Sequence, residues 1–484
     1  MNALRLALLP ALVPLLFACT TVGPDYRVPD DAAIHAPAAN GALLGADNAA
    51  VSVGEVPDGW WRLYDDPKLD QLVQQALAAN TDLRVASANL KRAIAVYHEV
   101  ESENLPQGAF GASVARGQIA GEPLLHEEKI PVFNFGDVGL NVSYLIDFFG
   151  KLARADEAAL AGAQASAAAL DQARVVVAAE TVRAYVQGCA ATHELEVAEH
   201  QLVLQNRGVE IARKMVEAGR GQPVDLLRAE AQSDALRANL PRFKAEQDGA
   251  AYRLAVMLGK PPTAESRAEY ACHEEPRLTQ PLPVGDGAAL LKRRPDVRQA
   301  ERELAAATAK IGVATADLYP SIRIGASTGL SGILDHLGQG QTAHWTVGPL
   351  ITWNLPTNGT RARIHGTEAG AEAALAHFDG VVLKALRETQ TALSSYTREL
   401  ERAGALRDAR DKASEAARQN RQLYQAGRSP YLSSLDADRT LASTEAQLAA
   451  AQSQVALDQI SLFLALGGGW QGAPKVEAHT MGER

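Results

Sequence analysis

From Leu69 to Asn104 small or apolar side chains recur at Ala79, Ala86, Ala93 and Val100, flanked by Leu83, Leu90 and Tyr97. That seven-residue spacing predicts a helix packed as in a coiled coil. At Pro106 and Gly108 the helical period stops and a period of two replaces it. Val138, Leu140, Val142, Tyr144, Ile146 and Phe148 alternate with Gly139, Asn141, Ser143, Leu145 and Asp147. Further on, Ile322, Ile324, Ala326 and Leu330 alternate with Arg323, Gly325, Ser327 and Gly329, and Trp345, Val347, Ile351 and Trp353 with Thr346, Gly348, Thr352 and Asn354. These segments predict strands with one apolar and one polar or small face, each long enough to cross a bilayer as part of a barrel. Alternation alone fits a half-buried sheet in a soluble α+β domain equally well.

Helical periodicity then returns on a larger scale. Gly150 to Ala218 contains no proline, and Ala163, Leu170, Val177, Ala184, Ala191 and Ala198 fall seven apart, with a second seam at Leu195, Leu202, Val209 and Val216. A helix of that length reaches about 100 Å, too long for one globule. Gly359 to Ala426 repeats the pattern, with Leu386, Leu393 and Leu400 on one seam. Two seams per helix allow neighbours on both sides, so such helices suit a curved wall as well as a simple antiparallel coiled coil. Each ends at a glycine-proline turn, Gly219-Arg220-Gly221-Gln222-Pro223 or Gly427-Arg428-Ser429-Pro430, and a shorter helix returns to Leu258-Gly259 or Leu466-Gly467.

The chain is one unit written twice. Asp82, Ala86, Leu90, Pro106, Gly111 and Ser113 recur 214 residues later as Asp296, Ala300, Leu304, Pro320, Gly325 and Ser327. Glu180, Thr181, Ala184, Gly219, Arg220, Leu227, Leu254 and Gly259 recur 208 residues later as Glu388, Thr389, Ala392, Gly427, Arg428, Leu435, Leu462 and Gly467. The offset shrinks where Ile119–Asp137 faces the shorter Gly332–Ala343, which marks a loop between shared elements.

Composition narrows the class. No run of 18 apolar residues exists, so a spanning helix is not expected, and a net charge of −10 disfavours a nucleic-acid partner. Residues 1–18 carry Arg5, an apolar core from Leu6 to Phe17 and a small residue, Ala18, directly before Cys19. That order predicts a secretory signal, and a cysteine after the cut resembles a bacterial lipoprotein box, with Cys19 carrying the lipid. Thr20 follows, so sorting to the outer membrane is expected. Export leaves Cys189 and Cys272 in an oxidising compartment.

Two strand pairs give four strands, which cannot close. An open edge in lipid leaves backbone groups unsatisfied, so other copies must complete the sheet. Two copies would make a barrel filled by side chains; three would leave a lumen lined by the Gly, Ser and Asn face. A cyclic trimer is expected.

Several runs carry a resemblance: Cys19-Thr20-Thr21-Val22-Gly23-Pro24-Asp25-Tyr26, then Leu291 to Arg302, then Ala305 to Ala314, then Asp317-Leu318-Tyr319-Pro320. Together they resemble the outer-membrane factor family, the TolC/OprM-like exit ducts of tripartite efflux pumps, in particular the NodT-type lipoproteins. The resemblance covers nearly the whole mature chain. It implies an α+β membrane protein: a trimeric twelve-stranded transmembrane β-barrel, four strands per chain, continuous with a long periplasmic α-helical barrel and a mixed equatorial belt. It also implies partners, namely a periplasmic adaptor (membrane fusion protein), an inner-membrane efflux transporter and outer-membrane lipid, with passive conduction and no cofactor beyond the lipid on Cys19. The chain then divides into a signal peptide (1–18), a lipidated N-terminal segment and belt (19–66), a first repeat (67–259), an equatorial linker (260–288), a second repeat (289–467) and a C-terminal tail (468–484). Within the repeats, strand pairs fall at about 109–148 and 321–355, long helices at 150–218 and 359–426, and return helices at 223–258 and 430–466.

The resemblance also implies site residues. Gly219, Arg220, Gly427 and Arg428 correspond to the tips that adaptors contact. Asp436 corresponds to an inward acidic ring, with Ser433 where a second acid can stand, and Ser429 occupies a gate-latching arginine position, one residue after Arg428. Asp225, Arg428, Tyr431 and Asp436 are therefore expected to form the periplasmic gate. A return helix climbing about 54 Å from the tip brings Cys272 to the level of Cys189, so a disulfide is expected there, against two free thiols. Enzyme chemistry finds no motif. His193 and His200 lie on one helical face without a metal-spaced carboxylate partner, His273-Glu274-Glu275 is a single charged loop, and neither a phosphate-binding glycine loop nor a nucleophile elbow occurs. The rival to a duct is a lipid-anchored coiled-coil scaffold without a pore.

Overall fold

The computed structural model describes residues 21–118, 130–272, 276–278 and 280–470. Its main elements in chain order are β1 (Val51–Ser52), α1 (Pro67–Ala79), α2 (Thr81–Ser102), β2 (Gln107–Gly117), β3 (Phe133–Ile146), α3 (Lys151–Glu217), α4 (Pro223–Arg237), α5 (Leu240–Met257), β4 (Leu282–Pro283), α6 (Gly287–Arg293), α7 (Pro295–Ala316), β5 (Ser321–Ile333), β6 (Ala343–Thr352), α8 (Asn358–Gln425) and α9 (Tyr431–Leu466). They fall into two compact units, one of residues up to 29, 90–166 and 299–378, the other of 30–89, 167–298 and 379 onward.

The first unit is organised by a four-stranded antiparallel sheet in the order β2-β3-β5-β6. Its register sets Phe110 opposite Leu140, Leu140 opposite Thr328 and Thr328 opposite Trp345. Because side chains alternate along each strand, one face collects Phe110, Val114, Val138, Val142, Ile324, Val347 and Ile351. The other collects Ser113, Asn141, Gly325, Ser327, Gly348 and Thr346, where the Ser327 and Thr346 hydroxyls are hydrogen-bonded at 2.7 Å. Among the described residues no element covers the apolar face, and Phe110, Val114, Trp345, Val347 and Ile351 are 63–77% exposed. At the foot of the sheet Phe149 stacks on Tyr319 at 4.5 Å, and the Trp353 indole N–H donates to the Leu318 carbonyl. Asp147 caps the start of α3 by accepting from the amides of Leu152 and Ala153, since the first turn of a helix has no internal partners for its N–H groups. Asp317 there holds both Lys151, at 2.6 Å, and Arg363, at 3.0 Å.

The second unit is helical apart from the short parallel pair β1–β4, with Val51 opposite Leu282. One buried cluster there joins Trp60, stacked on Phe463 at 4.4 Å, to Trp61 and Tyr64 edge-on. On α3 the seam Leu170, Val177, Ala184, Ala191 and Ala198 is buried throughout. On α8 the buried stripe is Val382, Ala385, Thr389, Leu393 and Tyr396; of the expected seam Leu386, Leu393 and Leu400, Leu393 is buried and the other two are half-buried.

Three expected helices are interrupted. The first helix of each repeat breaks at Asn80, between α1 and α2, and at Arg294, between α6 and α7. Asn80 has extended backbone and caps α2, its side-chain oxygen accepting from the amides of Asp82 and Leu83. Arg294 is extended because Pro295 follows it. The return helix expected over 223–258 is likewise two helices, α4 and α5. Pro241 has no N–H for the carbonyl of Arg237, and its ring crowds that turn. At the repeat-related position α9 has Ala449 and runs unbroken.

Candidate functional site

The two hairpin tips are built alike. At the end of α3 the Gly219 amide donates to Val216 and that of Arg220 to Met215; at the end of α8 Gly427 donates to Tyr424 and Arg428 to Leu423. This closing pattern requires a left-handed residue, and both glycines have it, at φ +67° and +72°. A Cβ on either would meet no atom within 4 Å, so conformation rather than crowding demands glycine, and among the described residues nothing covers either tip. Arg220 and Arg428 beside them are exposed and, among the described residues, make no ion pair.

Tyr431, the first residue of α9, carries the contact between the hairpins. Its ring, like Leu226, packs against the cluster of Val209, Ala212 and Ala229 of α3 and α4, and it tilts against Tyr424 at 5.3 Å. Its hydroxyl lies 3.7 Å from where a Cβ on Gly208 would stand. Burial, reinforced by Tyr424, Asp438 and Asp225 and opposed by Arg439, pushes the phenol up to about 12. It is therefore a neutral, amphipathic wedge at any physiological pH. Asp225 pairs with Arg228 at 3.6 Å, and its charge reaches both tyrosines. Asp436 is exposed, with no ion-pair partner within the chain among the described residues. Of the four expected gate residues the fold thus brings Asp225 and Tyr431 together and leaves Arg428 and Asp436 facing outward.

Three residues beside them escaped sequence reasoning. Asp438 is half-buried and pairs with Arg421 of α8 at 3.3 Å, and burial outweighs that pairing to push its carboxyl up. Tyr424 stands in the last turn of α8, across the Gly427 turn from Tyr431, and no spacing along one helix links the two. Arg439 reaches Gln232 of α4 at 3.1 Å, and Gln201 of α3 donates to the Ala442 carbonyl of α9 at 3.0 Å. These groups surround a cavity of about 250 Å³ between the hairpins.

Away from the tips, Cys189 of α3 and Cys272 are joined, with sulfurs 2.03 Å and Cα atoms 4.9 Å apart. Cys19 and His273-Glu274-Glu275 lie outside the described residues. Among the described residues no helix is long and apolar enough to cross a membrane, and no group of three or more His, Cys, Asp or Glu is arranged to hold a metal ion.

The sequence profile of the family described as "Outer membrane efflux protein" matches residues 72–260 and 288–468, nearly the two repeats. Nodulation protein T of Rhizobium leguminosarum bv. viciae is 30% identical over 477 residues, covering 98% of this chain and 95% of that protein. Outer membrane protein OprJ of Pseudomonas aeruginosa is 28% identical, with 97% of each covered. Among solved structures, that of the outer-membrane channel OprN superimposes with a TM-score of 0.87 at 35% identity, covering 93% of this chain and 100% of that one.

Proposed function

The chain belongs to the outer membrane efflux protein family, and from that membership we propose that it is the exit duct of a tripartite efflux system. In this reading it conducts small molecules passively across the periplasm and outer membrane, after an inner-membrane transporter and a periplasmic adaptor deliver them. It performs no bond chemistry. The observation that carries the proposal is the register of β2-β3-β5-β6. It gathers the apolar side chains on one uncovered face and the small polar ones on the other, and it leaves β2 and β6 as open edges.

Open edges set the assembly. In hydrocarbon an unpaired strand edge is too costly to keep, so the sheet closes with copies of itself. Three copies of four strands give twelve, wide enough for an aqueous lumen lined by the Ser327, Thr346 and Asn141 face. Lipid on Cys19 would add an anchor on the periplasmic side.

The tips supply the entrance. Gly219, Arg220, Gly427 and Arg428 are uncovered and suited to an adaptor's hairpin, while Tyr431 wedges one hairpin against the other within a chain. Arg428 and Asp436 are available to pair between neighbouring chains. An exposed pair of this kind is worth ~1 kcal/mol or less, which suits a gate that a partner must open.

Single-channel conductance in a planar bilayer tests both levels, comparing the parent with a Tyr431→Ala, Asp436→Ala variant. The expected result is pores in both and a larger conductance in the variant. Equal conductance leaves the duct and removes the gate assignment. A verified, inserted oligomer that never conducts removes the duct and favours a poreless scaffold.

A further inference from the structure

The segment after Cys19 is seated in the first unit by more contacts than a tether needs. The Val22 amide donates to the Phe149 carbonyl at 3.0 Å. Arg154 of α3, whose side chain is only 6% exposed, donates to the carbonyls of Val22 (3.1 Å) and Gly23 (3.3 Å) and to the Asp25 carboxylate (2.7 Å), while its remaining arm holds Glu157 at 2.7 Å. A nearly buried guanidinium needs acceptors for its donors, and here the segment supplies three of the four.

Shape complements charge. Gly23 presses on Gly312 of α7 so closely that a Cβ on Gly23 would lie 2.4 Å from the Gly312 Cα, and one on Gly312 would meet both Arg154 and the Val22 carbonyl at under 3 Å. A Cβ on Gly150 would likewise strike Thr21. Three positions therefore lack a side chain because backbone passes there. Beyond the glycine contact, the Tyr26 hydroxyl donates to the Glu301 carboxylate at 2.6 Å, its ring packs against Ala161, Ala305 and Ala306, and Arg302, paired to the same Glu301, lies over that ring.

Phe149, Gly150 and Arg154 belong to the first repeat, and Glu301, Arg302 and Gly312 to the second. The segment thus touches both repeats at the foot of the sheet. We propose that residues 21–26 are a strap that clasps α3 to α7, so that the membrane anchor and the joint between the repeats are one structure. The strap holds by its own protein contacts, whether or not Cys19 carries lipid.

Nicking the assembled protein tests this without asking a mutant to fold. The full chain is exported without lipid, as Cys19→Ser behind a signal that requires no cysteine, with a protease recognition sequence inserted between the exposed Asp30 and Asp31. It is purified in detergent, cut, and passed over a sizing column. At least nine-tenths of the N-terminal fragment is expected to travel with the protein. Arg154→Ala should release more than half of it. Should Arg154→Ala fail to accumulate, Asp25→Ala, Tyr26→Phe removes contacts from the strap side only, leaves every helix intact, and should likewise release most of the fragment. A fragment that leaves the parent on cutting, or one retained by the strap-side variant as fully as by the parent, overturns the strap. Conductance plays no part in these readouts, so the strap and the duct stand or fall separately.

Discussion

Asn80 and Arg294 hold the same place in the two repeats by different chemistry. The Asn80 amide donates to the Met257 carbonyl at 3.1 Å, and the Arg294 guanidinium to the Ala465 carbonyl at 2.8 Å. The partners are themselves related by the repeat, so each return helix is tied by its last turn to the break in the first helix of its own half. Beside each tie the return helix ends in a left-handed glycine, Gly259 or Gly467, packed so tightly that a Cβ would lie 2.7 Å from the Ala79 carbonyl or 2.9 Å from the Arg294 side chain. The second repeat adds charge, for Arg294 also binds Asp296 at 2.6 Å and Glu388 at 3.0 Å.

Those differences predict unequal costs. Asn80→Ala removes a cap and one bond, about 1 kcal/mol. Arg294→Ala strands two carboxylates around an emptied, buried site, about 3 kcal/mol. Thermal unfolding in detergent should show the larger drop in midpoint for Arg294→Ala; an equal or smaller drop would mean that the charges around Arg294 contribute nothing net.

Cys189 and Cys272 close a loop of 83 residues, and constraining that loop in the unfolded chain contributes roughly 4–5 kcal/mol by chain-entropy reasoning. In a Cys19→Ser background, thiol labelling of denatured, unreduced protein should find no free thiol, and labelling after reduction should find two. Two free thiols before reduction would remove the bond.

Neighbouring positions on β6 point to opposite faces and should respond oppositely to one substitution. Val347→Lys puts a charge on the apolar face, at about 2–4 kcal/mol if it sits near mid-bilayer, and should sharply lower the yield of inserted oligomer. Thr346→Lys lies on the polar face and should insert normally while shifting ion selectivity toward anions. Equal insertion of both would show that the apolar face does not meet lipid.

How much of this was legible depends on whether the cause was local. The sheet faces could be read because period two is a property of each strand alone, and the register then placed Val142, Ala326 and Val347 on one face as their alternation required. The tip glycines were equally plain, since the helix stop needs a left-handed residue within the turn itself. The break at Asn80 was not, because heptad spacing runs through it from Ala79 to Ala86 and the reason to stop is a carbonyl of another helix. Pro241 announces its break locally, within the span 223–258 expected as one helix. At the tips, Tyr431 and Asp225 stood out by position, whereas Asp438 looked like one more helix-surface acid. Only packing of α9 against α8 and α3 buries it.

That burial makes Asp438 a pH-responsive element of the hairpin contact. Its folded carboxyl is raised, by burial first and against Arg421, so the packed tip favours the proton more than a loosened tip does. The packed arrangement should therefore tighten as pH falls through the raised value toward the ordinary carboxylate range near 4, and gain nothing further below it. Around the cavity Arg421, Arg439, Glu445 and the two tyrosines face Asp438. Tyr431 stays neutral throughout this window, and Asp438 is the cavity carboxyl that burial raises. Amide hydrogen exchange over residues 421–442, corrected for the chemical rate, should slow in the parent as pH is lowered from 7.5 to 4. In Asp438→Asn, a permanently neutral isostere, the same comparison should show a smaller change or none. Exchange that quickens in the parent over that range would mean that loss of the Arg421 pair outweighs relief of the buried charge.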